Sequence, residues 1–164
     1  MSPTTPDIGK LLATHLGALP DGTLPGFLAM LERIAAARYR AWADALPEHA
    51  SGLRACAARE DEIADRIDAR FPLEDGVRKS LEAELPRARE VYDSLFDGLR
   101  VEEQLEIQAG AERQGAAAWR GLAARDADPA LRETLAACAK LEEESASYLE
   151  SLALGPGDDA TRSS

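Results

Sequence analysis

The stretch LRACAAREDEIADRI, residues 53–67, returns 82 residues later as LAACAKLEEESASYL, residues 135–149. The two copies share the frame L-x-A-C-A-x-x-E-x-E-x-A-x-x-(I/L). Matching Ala residues arise by chance in an Ala-rich chain, so the informative matches are the Cys and the E-x-E pair. A frame that recurs at a fixed offset indicates an internal duplication.

A second pair of stretches repeats at almost the same offset. ERIAAARYRAWA, residues 32–43, corresponds to ERQGAAAWRGLA, residues 112–123, with the Glu-Arg pair in register. All four stretches have the apolar spacing of helices. The chain is therefore predicted to contain two tandem helical hairpins, over residues 24–71 and 99–153.

Length and composition are those of one α-helical domain. The chain has 164 residues, which is enough for one sizeable core, and we expect a single domain over residues 1–154. Charged residues make up 30% and aromatic ones 5%, which favours helices packed through Ala and Leu over a β-sheet. The last stretch, GPGDDATRSS at residues 155–164, has nothing to bury and is expected to be disordered.

The net charge and the hydropathy of the chain argue against two classes of partner, nucleic acids and membranes. The formal net charge of −11 would repel phosphate backbones, and the Arg residues are dispersed among acids, so nucleic acid is not an expected partner. The chain has no run of about 18 apolar residues, and its start lacks a basic region leading into an apolar stretch. We therefore expect a cytoplasmic protein that does not bind membranes.

Residues that end helices, and apolar residues at helical spacing, predict where the helices lie. A short leading helix is expected before residue 21, and Thr23 with Pro25 is expected to cap the next helix. The second helix of the first hairpin should span residues 48–70, and the second hairpin should begin near Leu99 and turn at Asp128. The long connection between the hairpins, residues 73–98, is expected to carry a broken helix because it contains Pro86 and two Gly. This connectivity is that of a ferritin-like four-helix bundle.

One Glu lies on the apolar stripe of each predicted helix: Glu32, Glu60, Glu112 and Glu142. The simplest alternative is that these acids lie at the edges of their stripes, in solvent or paired with Arg33, Arg59 or Arg113. Burying several carboxylates together is unfavourable without a cation, a partner or protonation. We nevertheless expect all four to point inward and to meet at one level of the bundle.

The paired motifs resemble the rubrerythrin-like branch of the ferritin-like superfamily. Each half of that family carries E-x-x-A-x-x-x-Y on one helix and L-x-x-A-x-x-E-x-x-H-A on the next, and the resemblance covers residues 24–153. The matching residues are Glu32, Ala35, Tyr39, Ala57, Glu60 and Ala64, and in the second half Glu112, Ala139, Glu142 and Ala146; Leu53 and Leu135 precede their Ala by four residues, and Trp119 stands at the Tyr position. The resemblance implies that the four Glu correspond to the family's metal ligands, and it implies a homodimer.

The departures from the family pattern concern its two histidines. Ile63 and Ser145 stand at the two His positions, and Trp119 stands where the first half has Tyr39. His49 does not replace them, because it lies about 16 Å before Glu60 along a helix. The dimetal site is therefore degenerate, and chemistry like that of the family is in doubt.

Three states of the site stay open from the sequence. The carboxylates, with Ser145 or water, could hold a hard cation such as Mn, Mg or Ca; they could bind Fe weakly; or they could hold no metal and be neutralised by protons or Arg. Tyr39 is expected to pack in the core, within reach of a carboxylate across the bundle. Function is correspondingly either metal handling or oxidative-stress defence, or a non-catalytic interaction or oligomerisation module.

The two cysteines are not expected to form a disulfide. Cys56 and Cys138 each precede an inward Glu by four residues, and under a pseudo-two-fold axis they should differ by about 12 Å along the bundle. We predict that both are small buried core residues.

Overall fold

The computed structural model of the protein describes residues 5–126 and 128–153, and the regular structure in this part of the chain is entirely helical. The all-α prediction is therefore confirmed, whereas the tail predicted to be disordered, residues 155–164, lies outside the described residues. None of the described helices is long and apolar enough to cross a membrane. The helices are α1 (Ile8–Gly17), α2 (Leu24–Ala45), α3 (Ala50–Arg70), α4 (Asp75–Asp93), α5 (Val101–Arg125) and α6 (Pro129–Ala153).

The two predicted hairpins are present. Ion pairs from Arg33 to Asp65 (2.9 Å) and from Arg54 to Asp44 (3.0 Å) show that α2 and α3 run antiparallel along their length. In the second hairpin α5 and α6 are likewise antiparallel, and Arg113 near the middle of α5 pairs with Glu150 at 2.7 Å.

The hairpins meet directly through their second helices. Arg59 Nε of α3 lies 3.3 Å from Glu144 Oε2 of α6, and Arg70 Nη2 lies 3.1 Å from Asp128 Oδ2. From the first contact to the second the residue number rises in α3 and falls toward the start of α6, so the two helices are antiparallel. On the other side of the bundle the indole N–H of Trp42 on α2 donates to Gln104 Oε1 of α5 at 2.9 Å.

The core between the hairpins consists of two apolar clusters at different levels of the bundle. The first holds Tyr39, Trp42, Leu53, Cys56, Phe96, Leu105 and Leu149 among its buried residues. The second holds Ile63, Ile67, Ala116, Trp119, Leu135 and Cys138. A third cluster lies outside this core and joins Leu12 of α1, Phe27 of α2 and Leu81 of α4, so α1 and α4 pack against the flank of the bundle.

The connection between the hairpins differs from the prediction of a broken helix. Helix α4 continues through Pro86 to Asp93, and a single 3₁₀ turn, Ser94–Phe96, follows it. Pro86 is exposed, so its ring meets solvent, and the buried residues Leu81 and Ala88 hold α4 against its neighbours on either side of the proline. Tertiary packing therefore outweighs the missing backbone hydrogen bond.

Two helix starts differ in detail from the sequence expectation. The side chain of Thr23 does not cap α2; its hydroxyl donates to the carbonyl of Pro20 at 2.7 Å, although Pro25 does occupy the first turn. The helix predicted from residue 48 begins as a 3₁₀ turn, Pro47–His49, and becomes α-helical at Ala50. The predicted cap at Asp128 is confirmed, because its Oδ1 accepts from the backbone N–H of Ala130 at 2.9 Å.

Replacing Pro86 by Ala should stabilise the protein. The substitution restores a backbone N–H inside an exposed helical turn, and it should raise the free energy of unfolding by about 1 to 3 kcal/mol, less the entropy that proline removes from the unfolded chain. Urea denaturation of Pro86→Ala beside Lys79→Ala, an exposed residue of the same helix, measures the difference. A loss of stability in Pro86→Ala alone would contradict a continuous α4.

Candidate metal centre

Three glutamates from three helices converge between the two apolar clusters of the core. Carboxylate oxygens of Glu32 (α2), Glu60 (α3) and Glu142 (α6) all lie within 4.8 Å of one another. Glu60 follows Cys56 of the first cluster by one turn and precedes Ile63 of the second cluster, so the helical stripe itself carries it inward. We call these three residues the carboxylate trio.

The trio is mostly removed from solvent. Glu60 is 0% exposed and Glu142 is 2% exposed, as the sequence predicted for inward-facing acids. Glu32 is only partly buried, because it also lines an open cavity between α2 and α5. The four acids are thus all directed into the molecule, but one of them keeps a path to water.

Glu112 lies beside the trio and accepts hydrogen bonds from two donors. The hydroxyl of Tyr39 and the amide of Gln108 both donate to Glu112 Oε1, each at 2.6 Å. All four predicted acids therefore come together in the core, with Glu112 2% exposed and next to the three whose oxygens lie within 4.8 Å of one another. The predicted hydrogen bond from Tyr39 to a carboxylate across the bundle is confirmed.

The trio also receives hydrogen bonds from neutral groups. Ser145 donates from Oγ to Glu60 Oε1 at 3.4 Å. The indole N–H of Trp119 donates to Glu142 Oε1 at 3.1 Å. Trp119 corresponds to Tyr39 in the repeat, and the acid that accepts its N–H, Glu142, belongs to its own hairpin, whereas Tyr39 donates across the bundle.

The alternative in which the acids pair with neighbouring Arg residues is not what the structure shows. Arg33 pairs with Asp65 and with Asp68 at 2.9 and 2.8 Å. Arg59 pairs with Glu144, and Arg113 with Glu150, on the outer surface of the bundle. These guanidinium groups satisfy surface acids and leave the buried ones to other partners.

Burial strongly favours the neutral form of the trio. Desolvation, followed by repulsion from Glu112, raises the pKa of Glu32 to about 8. Desolvation also holds the pKa of Glu60 and the pKa of Glu142 well above their usual range, with the neighbouring acids adding repulsion. The group therefore binds protons at neutral pH unless another positive charge compensates it.

The residues present fit a divalent cation bound through oxygen. Glu60 Oε2 is buried and has no hydrogen-bond partner among the described residues, so an acceptor in the middle of the trio is unsatisfied. Carboxylate and hydroxyl oxygens are suitable ligands for hard cations such as Mn²⁺, Mg²⁺ and Ca²⁺. Ile63, three residues after Glu60 on α3, is 0% exposed and offers no ligand atom.

A glycine gives the carboxylate of Glu142 its space. A Cβ on Gly115 of α5 would lie 2.6 Å from Glu142 Oε1 and 2.9 Å from its Cδ. Any larger residue at 115 would push this carboxylate from its position. The close approach of α5 thus shapes the side of the trio that faces the cavity.

An apolar cavity of about 670 Å³ leads from the surface to the acids. It lies between α2 and α5, where α1 and α4 contribute to its walls, and its lining includes Glu32, Glu112 and Glu142. The carboxylate layer is therefore closed on the α3 and α6 side and reachable from the α2 and α5 side.

Both cysteines are free and buried, and they belong to different apolar clusters. Desolvation raises the pKa of Cys56 to about 11 and that of Cys138 to about 11, so neither is a reactive thiolate near neutral pH. The prediction that they are separate core residues is confirmed.

Sequence reasoning did not assign a role to two residues near the acids. Gln108 stands four residues before Glu112 on the same face of α5, and that i, i+4 spacing could have identified it as a partner. Tyr92 of α4 donates to Gln108 Oε1 and extends the chain of hydrogen bonds to the crossover helix. No pattern in the sequence signals this second contact, because it depends on how α4 folds back.

Comparisons with protein-family models, with curated proteins and with solved structures gave no match for this chain.

Proposed function

We propose that the protein is a ferritin-like bundle of the rubrerythrin-like branch whose degenerate site binds a divalent cation through Glu32, Glu60 and Glu142. Two antiparallel hairpins joined by a helical crossover support this assignment, as do the motifs carried by each hairpin. The fourth acid, Glu112, contributes negative charge next to the cation, and Tyr39 and Gln108 fix its orientation.

The observation that carries the proposal is the unsatisfied oxygen of Glu60 within a trio of carboxylates 4.8 Å across. An unpartnered buried acceptor costs about 1 to 3 kcal/mol, and a charged one costs more. A cation coordinated by this oxygen and by oxygens of Glu32 and Glu142 removes that cost.

The donor set determines which cations fit. With oxygen donors alone, Mn²⁺, Mg²⁺ and Ca²⁺ are better matched than iron, because both imidazole positions of the related family are occupied by Ile63 and Ser145. A bound cation would supply positive charge, and with Mn or Fe also electron transfer. Ser145 stays hydrogen-bonded to Glu60, and Trp119 keeps Glu142 oriented. The role we propose is metal handling or defence against oxidative stress.

The protein should bind one of these cations stoichiometrically, and Glu60→Gln should weaken binding by about 100-fold. The amide keeps the shape of the side chain but removes the charge and one acceptor oxygen, and loss of even outer partners of a metal ligand costs about 10- to 100-fold. Isothermal titration calorimetry of chelator-treated protein with Mn²⁺, Mg²⁺ and Ca²⁺ measures the affinities.

Glu62→Gln is the matched control for the metal titrations. Glu62 lies on the same helix, is exposed and pairs with Arg66, so its loss should leave the affinity unchanged. If the wild-type protein binds none of the cations, or if the two variants weaken binding equally, the assignment of the trio as ligands is wrong.

One observation favours a second function, that of a metal-free helical interaction or oligomerisation module. The raised pKa values of Glu32, Glu60 and Glu142 mean that protons alone can neutralise the trio. In that case Glu142→Gln should raise stability, because it removes a buried acid that must otherwise be protonated.

Stability without metal should fall as the pH rises. A folded pKa raised above the unfolded value means that the native state binds more protons, so the stabilisation is complete below pH 4.5 and is lost as the pH passes the pKa of Glu32, about 8. Urea denaturation of chelator-treated protein between pH 5 and 9 should show a loss on the order of a few kcal/mol.

Glu32→Gln should flatten this pH profile, and Glu62→Gln should leave it unchanged. A saturating cation that binds the trio should also flatten it, because the cation replaces the protons. A stability that stays flat or rises across the same pH range in the chelator-treated wild type would contradict proton uptake by the trio on folding.

A further inference from the structure

The cavity beside the carboxylates has the size and the lining of a small-molecule site. Its volume of about 670 Å³ lies within the range of roughly 300 to 1,000 Å³ typical of ligand pockets. Leucine side chains form much of its walls: Leu12, Leu16, Leu24, Leu28, Leu31 and Leu122. Such walls bury an apolar body at a gain of about 25 cal/mol for each Å² removed from water.

The chain leading into α1 closes over part of this cavity. The backbone N–H of Ile8 donates to Gln114 Oε1 at 2.9 Å, and Gln114 Nε2 donates to the carbonyl of Pro6 at 2.8 Å. These bonds attach the segment to α5 through a side chain that also lines the cavity. The walls are therefore held by specific contacts from two elements.

The inner end of the cavity is lined by acids. Glu112 lines it and is 2% exposed, and its Oε2 has no hydrogen-bond partner among the residues that the structure describes. Its other oxygen accepts hydrogen bonds from Tyr39 and Gln108. Glu32 and Glu142 line the same end, so three carboxyl groups lie beside the cavity.

We propose that this cavity binds a small molecule with an apolar body and a protonated amine at one end, and that the carboxyl group of Glu112 accepts a hydrogen bond from the amine. A primary ammonium group carries three donors and no acceptor, and it thus complements an end lined by carboxylates. A carboxylate or phosphate head would meet repulsion there.

The amine site does not require the metal. Glu112 lies outside the trio, so a cation bound by Glu32, Glu60 and Glu142 and an ammonium group on Glu112 can be present together. Four acids and one dication leave negative charge in a region of low dielectric, which further favours a monocation beside them.

The apolar body should extend along α5 toward Gly121. Gly121 lines the cavity nine residues beyond Glu112, about 14 Å along the helix axis. An extended dodecyl chain has a similar length, so dodecylamine is a suitable probe. Dodecanol and dodecanoate match its body and differ only in the head group.

Calorimetric titrations below the micelle concentration should show saturable binding of dodecylammonium. Dodecanol should bind about 10- to 100-fold more weakly, because a hydrogen bond to a charged group contributes more than one between neutral groups, and dodecanoate more weakly still. Circular dichroism at each end point distinguishes binding from unfolding by a detergent.

Two variants assign the binding to the cavity. Glu112→Gln keeps the shape of the side chain and should lower the affinity for dodecylammonium about tenfold or more while leaving that for dodecanol unchanged. Gly121→Phe should abolish binding of both, because it fills the cavity. Gly76→Phe is its control, since a Cβ at either glycine meets no atom within 4 Å and Gly76 lies on α4, outside the lining.

Equal binding of the three probes, or an unchanged preference in Glu112→Gln, would overturn the proposal, as would binding that survives Gly121→Phe. Loss of helical structure on addition of dodecylamine would overturn it as well. The metal site and the amine site can fail independently. Glu60→Gln should still bind dodecylammonium, and Glu112→Gln should still bind the divalent cation.

Discussion

The burial of carboxylates in a dry layer constrains the rest of this structure. Glu60 and Glu142 lie between two apolar clusters, where an isolated charge is unfavourable by many kcal/mol. They accept hydrogen bonds from uncharged donors, Ser145 and Trp119, and the nearby Arg residues lie on the surface. Protons or a cation must neutralise the carboxylates of this layer, and either one makes their burial in the core favourable enough for folding.

Sequence patterns were sufficient for the parts of the site that depend on helical register. The inward positions of Glu60 and Glu142 follow from their stripes, because each depends on the apolar residues of the same helix. The hydrogen bonds that orient Glu112 do not follow, since they depend on Tyr39 from another helix and Gln108 converging on one oxygen. The partial exposure of Glu32 likewise depends on the space between α2 and α5.

The fold shows the same division between local and tertiary information. Four long helices were predicted within a few residues, because each has a continuous apolar stripe and a clear stop. Helix α4 was predicted to break at Pro86, as an isolated segment would tend to do. It stays continuous because its buried side, which includes Leu81 and Ala88, packs against α1 and α2. That support is not visible in the local sequence.

The asymmetry of the bundle gives the acid layer one accessible side. Helices α3 and α6 are in contact, whereas a cavity opens between α2 and α5. Glu32 is half-buried at this boundary, so it touches both the solvent-connected cavity and the enclosed Glu60. A proton or cation that exchanges with the layer can therefore enter from the side on which Glu32 lies. Desolvation, followed by repulsion from Glu112, raises the pKa of Glu32 to about 8, so this most exposed acid of the trio takes up and releases protons near neutral pH.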